Sequence, residues 1–543
     1  MSLWARAKKS GKSTRISFRY SYLYGMKENE VTIYPLIDMS ELNRCLLCHD
    51  APCTKACVKS LPVGDILRSI YFRNAMGALE KARGEKCIGC DAPCEKACVL
   101  GRKSTPVMIK SIIGSLYTAA KDTVEYGIIG ERELRDAFTA EKEPDISADI
   151  KGVKLESPFL LSSSVVASSY EMCAKAFKAG WAGAAFKTIC SFPQHEASPR
   201  FSTVTNHSNS FCGFKNIEQL SDHSVEEIME VFRRLKRDFP EKVIIASIMG
   251  QDEKEWTSLA HECELAGADV IECNFSCPNM ESDSLGVTIG QDAALIEKFT
   301  AAVRRGTALP VLAKMTPNIT DMVPMAVAAR RGGADGIAAI NTINSITGVN
   351  IHTFTAEPDV HGHSIVGGYS GQAVKPIALR FISDMAHSEE LRGMHLSGMG
   401  GIENWIDALE FISLGAGSVQ VTTAVMQYGY RIIEDLLEGV RYYLKIKHFS
   451  SLRPVIGAAV GSIVPHNQLE RDTILFPRFD YEKCIGCGRC YTSCYDGGHQ
   501  AIEFDLLTRR PRLLGSRCVG CHLCRLVCPS KAIGVAAKRI ERS

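Results

Sequence analysis

The sequence predicts an α/β protein: a (β/α)8 TIM barrel of parallel strands with a cysteine-rich domain at each end. Three observations lead there. From Ile150 onward, short β-rich runs alternate with longer amphipathic stretches, the pattern of a parallel sheet. Polar and glycine-rich residues collect where those runs end, which is where a barrel keeps its chemistry. Finally, sixteen of the 22 cysteines fall into two terminal blocks of eight.

At 543 residues the chain exceeds one ordinary domain, and 23% charged with 45% hydrophobic residues is the balance of a globular protein with a sizeable core. A net charge of +2 gives no electrostatic reason to expect nucleic acid or a membrane surface as partner. No apolar run reaches the roughly eighteen residues that a spanning helix needs. Residues 1–40 read as a basic leader: Arg6, Lys8, Lys9, Lys12, Arg15, Arg19 and Lys27 precede any acid except Glu28 onward, and the apolar core of a secretory signal is missing. Tight Cys-x-x-Cys repeats in so long a chain point to metal in a reducing, cytoplasmic setting, not to a disulfide scaffold.

Residues 41–134 read as an iron-sulfur domain. Cys45-x2-Cys48-x4-Cys53-x3-Cys57 and Cys87-x2-Cys90-x3-Cys94-x3-Cys98 flank Val63 to Lys81, whose apolar spacing predicts a helix. A linker, 135–149, leads into the barrel, 150–445. Its eight strands are expected at Pro158 to Leu161, Gly183 to Lys187, Val243 to Ile248, Ala268 to Asn274, Pro310 to Lys314, Gly336 to Asn341, His395 to Gly398 and Ser418 to Val421. Helices such as Val225 to Arg237, Trp256 to Ala266 and Met322 to Arg331 place charge on one face and Ile, Leu, Val or Ala on the other. An open doubly wound sheet shares this local pattern but would want a Gly-x-Gly-x-x-Gly fingerprint, which the sequence lacks. A connector, 446–475, precedes the C-terminal domain, 476–543. There Cys484-x2-Cys487-x2-Cys490-x3-Cys494 and Cys518-x2-Cys521-x2-Cys524-x3-Cys528-Pro529 have the spacing of a two-cluster bacterial ferredoxin. Crossed ligation puts one [4Fe-4S] cluster on Cys484, Cys487, Cys490 and Cys528 and the other on Cys494, Cys518, Cys521 and Cys524. Zinc suits paired thiolates but leaves the repeated three-plus-one spacing unexplained. The same crossing at the N-terminus gives Cys45, Cys48, Cys53 and Cys98 for one cluster, and Cys57, Cys87, Cys90 and Cys94 for the other.

The strand ends carry a family likeness. Asn274-Phe275-Ser276-Cys277-Pro278, Lys187-Thr188, Lys314-Met315-Thr316-Pro317 and Gly398-Met399-Gly400-Gly401 together resemble the FMN barrel of dihydropyrimidine dehydrogenases and, more distantly, of dihydroorotate dehydrogenases. The likeness is nearest to the catalytic iron-sulfur subunit of the bacterial NAD-dependent enzymes and runs from about Asp149 to the end of the second cysteine block. The run Arg44 to Cys53 looks like the cluster domain that precedes the FAD part of dihydropyrimidine dehydrogenases and of the glutamate synthase small subunit. In this sequence no FAD or nucleotide module follows it. The resemblance implies an FMN and iron-sulfur oxidoreductase that reduces the C5=C6 bond of uracil or thymine, or runs the reverse. Its electrons would be relayed through [4Fe-4S] clusters from an FAD-containing NAD(P)H-oxidising subunit or a ferredoxin, in a homodimer or heterotetramer. Two other readings stand beside it: a dihydroorotate dehydrogenase-like enzyme acting on another cyclic amide, and an electron-transfer subunit without pyrimidine turnover.

Site residues follow from both lines. Gly400 and Gly401 after the seventh strand, with Thr422 and Thr423 after the eighth, suit a phosphate, because glycine turns let backbone N–H groups approach an oxyanion. Ser370 and Gly371 would add a donor. Lys187 and Lys314 end the second and fifth strands and would face the flavin edge that gains negative charge on reduction, Lys314 being assigned to the catalytic set. By resemblance, Ser163, Thr188 and Ser276 join the cofactor site, while Asn216, Asn274, Asn341 and Thr342 serve the pyrimidine, whose lactam edge an amide matches in plane. The reaction also needs a general acid on the far face of the ring. The expected place is the loop before Gly290-Gln291-Asp292, where Ile289 carries no transferable proton. In the eukaryotic enzymes this sequence resembles, the acid is a cysteine at the position that Ile289 fills here; the resemblance to dihydroorotate dehydrogenases, some of which use a serine base, then implies Ser284 as the donor, ahead of Ser282 and Thr288, with Cys277 set aside as lying on the strand side.

Overall fold

The computed structural model describes residues 39–84, 87, 89–125, 142–192, 195–205, 211–277 and 286–536; the expected leader up to residue 38 and residues 135–141 of the first linker lie outside them. By internal contacts these divide into one unit ending at Ile463 and another beginning at Val464.

In the first unit eight parallel strands close a barrel in chain order: β1 (Phe159–Leu161), β2 (Gly183–Ala185), β3 (Val243–Ile248), β4 (Val270–Asn274), β5 (Val311–Lys314), β6 (Gly336–Ala339), β7 (His395–Met399) and β8 (Ser418–Val421). All eight fall within the expected runs or one residue beyond them. Every strand residue is buried, as a parallel sheet clothed by helices requires. The register sets Asn274 of β4 beside Lys314 of β5, and Ala339 of β6 beside Gly398 of β7, so polar strand ends gather at one mouth. A hairpin, Ala148–Ile150 with Val153–Leu155, adds Ile150 and Leu155 to a buried cluster with Leu160, Ile245, Val270 and Leu312.

The helices are set by their caps as much as by periodicity. Ser224 and Glu227 form a capping box on Val225–Asp238, and Asp292 caps Ala293–Gly306. The helix expected from Trp256 starts three residues earlier, at Glu253, because Asp252 caps a polar first turn that an apolar count overlooks. The single helix expected over Val63 to Lys81 is two, Val63–Tyr71 and Ala75–Ala82. Arg73 takes a left-handed φ of 63° between them, and Asn74 caps the second through the N–H of Gly77.

Two insertions meet beside the mouth. Phe201–Thr205 and Phe211–Asn216 follow β2; Ile343–Ser345 and Gly367–Ser370 follow β6. They pair into one antiparallel four-stranded sheet that brings Gly368 opposite Asn216. The N-terminal helices dock on the barrel helix Ile432–Ile446. Asp435, fully buried, accepts Arg68 Nε at 2.9 Å, Ser69 Oγ at 2.7 Å and Asn74 Nδ2 at 3.0 Å.

The second unit, described for 464–536, is small. Two antiparallel pairs, Pro477–Phe479 with Ile533–Val535 and Ile502–Asp505 with Arg510–Leu513, enclose a core in which Cys490, Cys494 and Cys524 pack with Ala501, Ile502 and Ile533.

Candidate functional site

The barrel mouth opens into a cavity of about 1120 Å³. Every expected substrate or cofactor residue lines it except Ser276, which is fully buried behind the wall. Ser276 Oγ donates to Asn274 Oδ1 at 3.0 Å and accepts Asn341 Nδ2 at 2.7 Å, so it fixes both amides. Asn274 Nδ2 donates to Thr188 Oγ1 at 2.8 Å, and Thr342 N–H to Asn341 Oδ1 at 2.8 Å. Among the described residues the Asn216 side chain has no hydrogen-bond partner, which leaves its amide for a ligand.

One end of the cavity is backbone. Gly400 and Gly401 hold φ of 121° and 76°, and a Cβ on Gly401 would stand 2.8 Å from the Gly371 carbonyl oxygen. Thr423 Oγ1 lies 2.9 Å from Ser370 Oγ, closing this end with hydroxyls. Glu403 also lines it. Burial, with Asp407 nearby, pushes its carboxyl up to about 8, against the pull of Lys375.

Both lysines are matched. Lys187 Nζ lies 3.4 Å from Glu196 and 3.8 Å from Glu218, and Glu218 also takes Arg200 at 3.1 Å. Burial raises the Glu218 pKa, with Lys187 opposing. Lys314 Nζ stands 3.5 Å from Glu272 Oε1 and 3.4 Å from Ser162 Oγ.

The cysteines gather in the crossed sets. One cavity of about 330 Å³ is lined by Cys57, Cys87, Cys90 and Cys94; another of the same size by Cys484, Cys487, Cys490 and Cys528; a third of about 340 Å³ by Cys494, Cys518, Cys521 and Cys524. The Cys45 thiol is pushed up to about 11 by burial and by its neighbours Cys53, Cys48 and Cys98, the fourth set. Among the described residues no three His, Cys, Asp or Glu side chains close on a single ion. Quartets of thiols around a shared space, in the repeated three-plus-one spacing, fit iron-sulfur cubanes.

Comparison with known proteins agrees with this arrangement. The dihydroorotate dehydrogenase family profile matches residues 146–444. The chain belongs to that family. A 4Fe-4S dicluster domain matches 478–535, and the 4Fe-4S cluster domain II of dihydropyrimidine dehydrogenase matches 26–123. The NAD-dependent dihydropyrimidine dehydrogenase subunit PreA of Escherichia coli is 53% identical over 398 residues, 73% of this chain and 97% of that one. The chloroplastic NADP(+) dihydropyrimidine dehydrogenase of Arabidopsis thaliana is 37% identical over 348 residues, 62% of this chain and 82% of that one. The catalytic subunit of dihydroorotate dehydrogenase B from Pyrococcus furiosus is 35% identical over 315 residues, 58% of this chain and 98% of that one.

For a member of the dihydroorotate dehydrogenase family the cofactors are FMN in the barrel and [4Fe-4S] clusters in the flanking domains, and the residues fit both. Gln420 Oε1 is buried in the cavity wall without a hydrogen-bond partner, as an acceptor awaiting a donor on a bound ring. The glycine turn at the opposite end leaves N–H groups unobstructed by any Cβ. The expected proton donor is a different matter. Ser284 and Ser282 lie outside the described residues. Thr288 is exposed and Ile289 fully buried, and neither lines the cavity, whereas Cys277, set aside from sequence, does. β4 ends at Asn274, and Cys277, three residues past it, lines the cavity.

Sequence reasoning also passed over Glu272, Gln420, Glu218 and Glu403. The first had a signal. A strand repeats every two residues, so Glu272 shares a face with Asn274, and an acid inside the run Val270–Asn274 has to face something polar.

Proposed function

We propose that this chain reduces the C5=C6 bond of uracil or thymine to the 5,6-dihydropyrimidine, or runs the reverse, with electrons relayed through its clusters from a separate donor. The observation that supports this best is the charge balance of the mouth. Lys187 and Lys314 are the only lysines or arginines among the described lining residues, and each already faces carboxylate. A neutral lactam needs no countercharge, whereas dihydroorotate would add a carboxylate to a mouth whose two lysines already face Glu196, Glu218 and Glu272.

Each residue then has a task. Asn216, Asn274, Asn341 and Thr342 hold the ring by its alternating N–H and C=O edge, and Ser276 keeps two of those amides in plane. Gly371, Gly400, Gly401, Thr422 and Thr423 hold the FMN phosphate; Ser163, Lys187, Thr188, Lys314 and Ser370 surround the rest of the cofactor. FMN, when bound, would supply the hydride that C6 takes up. Cys277, which lines the cavity, would supply the proton to C5, with Ser284 the alternative donor. Electrons come from an FAD-bearing NAD(P)H-oxidising subunit or a ferredoxin, a separate partner in keeping with the subunit status of the Escherichia coli relative. We place the assembly, a homodimer or heterotetramer, in the cytoplasm, a setting supported by 22 cysteines without a disulfide.

The test is an anaerobic assay of dithionite-reduced protein with uracil, thymine and orotate, following flavin re-oxidation and product. Re-oxidation by uracil or thymine with formation of the dihydro compound is expected. Preference for orotate, or re-oxidation by none of the three, would overturn the assignment.

A further inference from the structure

Glu272 is a buried acid that the proposed chemistry leaves without a task. It sits on β4 with no solvent exposure. Its Oε2 accepts Gln420 Nε2 at 3.0 Å, while its Oε1 accepts no hydrogen bond and lies 3.5 Å from Lys314 Nζ. Lys314 is itself only 3% exposed, and its other polar contact, to Ser162 Oγ, is 3.4 Å. Both lysine contacts are long, so the ammonium is not saturated by the barrel, and the residue borders the cavity. Glu272 is the one anion paired with it among the described residues. The other titratable groups facing this spot are accounted for. Gln420 leads through Ser397 and Ser418 to His395, whose ring burial holds at about 4 and therefore neutral, and Lys187 across the mouth has Glu196 and Glu218.

We propose that Glu272 is a positioning residue which keeps Lys314 charged before electrons reach the flavin, so that two-electron reduction takes up one proton and not two. A buried ammonium without a counterion gives up its proton, whereas one beside a carboxylate keeps it. Two electrons and one proton leave a bound flavin with a net negative charge, which a lysine already charged meets without further uptake. With Glu272 neutralised, Lys314 starts uncharged and collects a proton when that negative charge forms, so the balance becomes two electrons and two protons. The inference rests on FMN in the barrel mouth and not on the identity of the substrate, so its test contains no pyrimidine.

The experiment is an anaerobic spectroelectrochemical titration of the purified holoprotein at several pH values, reading the two-electron midpoint potential of FMN at the flavin bands. The slope against pH counts protons per electron pair. One is expected for the native protein and two for Glu272→Gln. Two protons in the native protein, or one in Glu272→Gln, would overturn the proposal. Glu272→Asp keeps the charge and is expected to stay at one; should Glu272→Gln not fold, a two-proton slope in Glu272→Asp overturns it equally.

Discussion

Ser276 and Cys277 are neighbours with different duties. Ser276 is locked behind the cavity wall between two asparagines, while Cys277 reaches the wall. Replacing Cys277 by Ala should lower dithionite-driven uracil reduction by about 10²–10⁴-fold, the usual worth of a general acid, with bound FMN per chain unchanged. Loss in Ser284→Ala with Cys277→Ala unaffected would give the role to Ser284. Glu403 yields a pH prediction. Its carboxyl, raised to about 8, stays neutral below that value and ionises as pH climbs through it, adding negative charge beside the expected phosphate. FMN affinity, read by fluorescence titration, should therefore weaken above about pH 8 in the native protein and lose that step in Glu403→Gln. The asparagines, the glycines and both lysines were legible because strand ends announce themselves by composition. Glu218 and Glu403 were not, since an acid in a sequence says nothing about which cation it will face.

Among the elements, the barrel strands were readable because a strand buried on both faces must be a short apolar run. The four-stranded sheet beside the mouth was not, since its strands come from insertions after β2 and β6 and pair across more than a hundred residues, as Asn216 with Gly368. The break between the two N-terminal helices escaped for a related reason: the Arg73 carbonyl there accepts Trp405 Nε1 at 2.7 Å, a contact with the barrel that no local pattern encodes. That interface carries its own prediction. Asp435→Ala leaves Arg68, Ser69 and Asn74 facing a hole where a buried carboxylate stood, and should cost about 3–5 kcal/mol, measured as a drop in the denaturant midpoint for the first unit. At the glycine turn, Gly401→Ala must strain a left-handed backbone and press a methyl toward the Gly371 carbonyl, so the purified variant should carry little or no FMN.

For the molecule as a whole, the cysteine spacing carried furthest. Three of the quartets expected from two blocks of eight each line a cavity, and the fourth lies close enough together to shift the Cys45 thiol. What spacing does not encode is the path from those clusters to the barrel. Under the proposed function the electrons of all four clusters drain to one flavin and from there to a pyrimidine. The direct measurement is a single-batch turnover: anaerobic protein reduced fully, freed of excess reductant, then mixed with excess uracil, with dihydrouracil counted per chain. Four one-electron [4Fe-4S] clusters and one two-electron FMN hold six electrons, so the expected yield is about three dihydrouracil per chain, from protein carrying roughly sixteen irons and one FMN. A chain so loaded that yields about one would have clusters cut off from its flavin, and a yield of none would contradict the account at its centre.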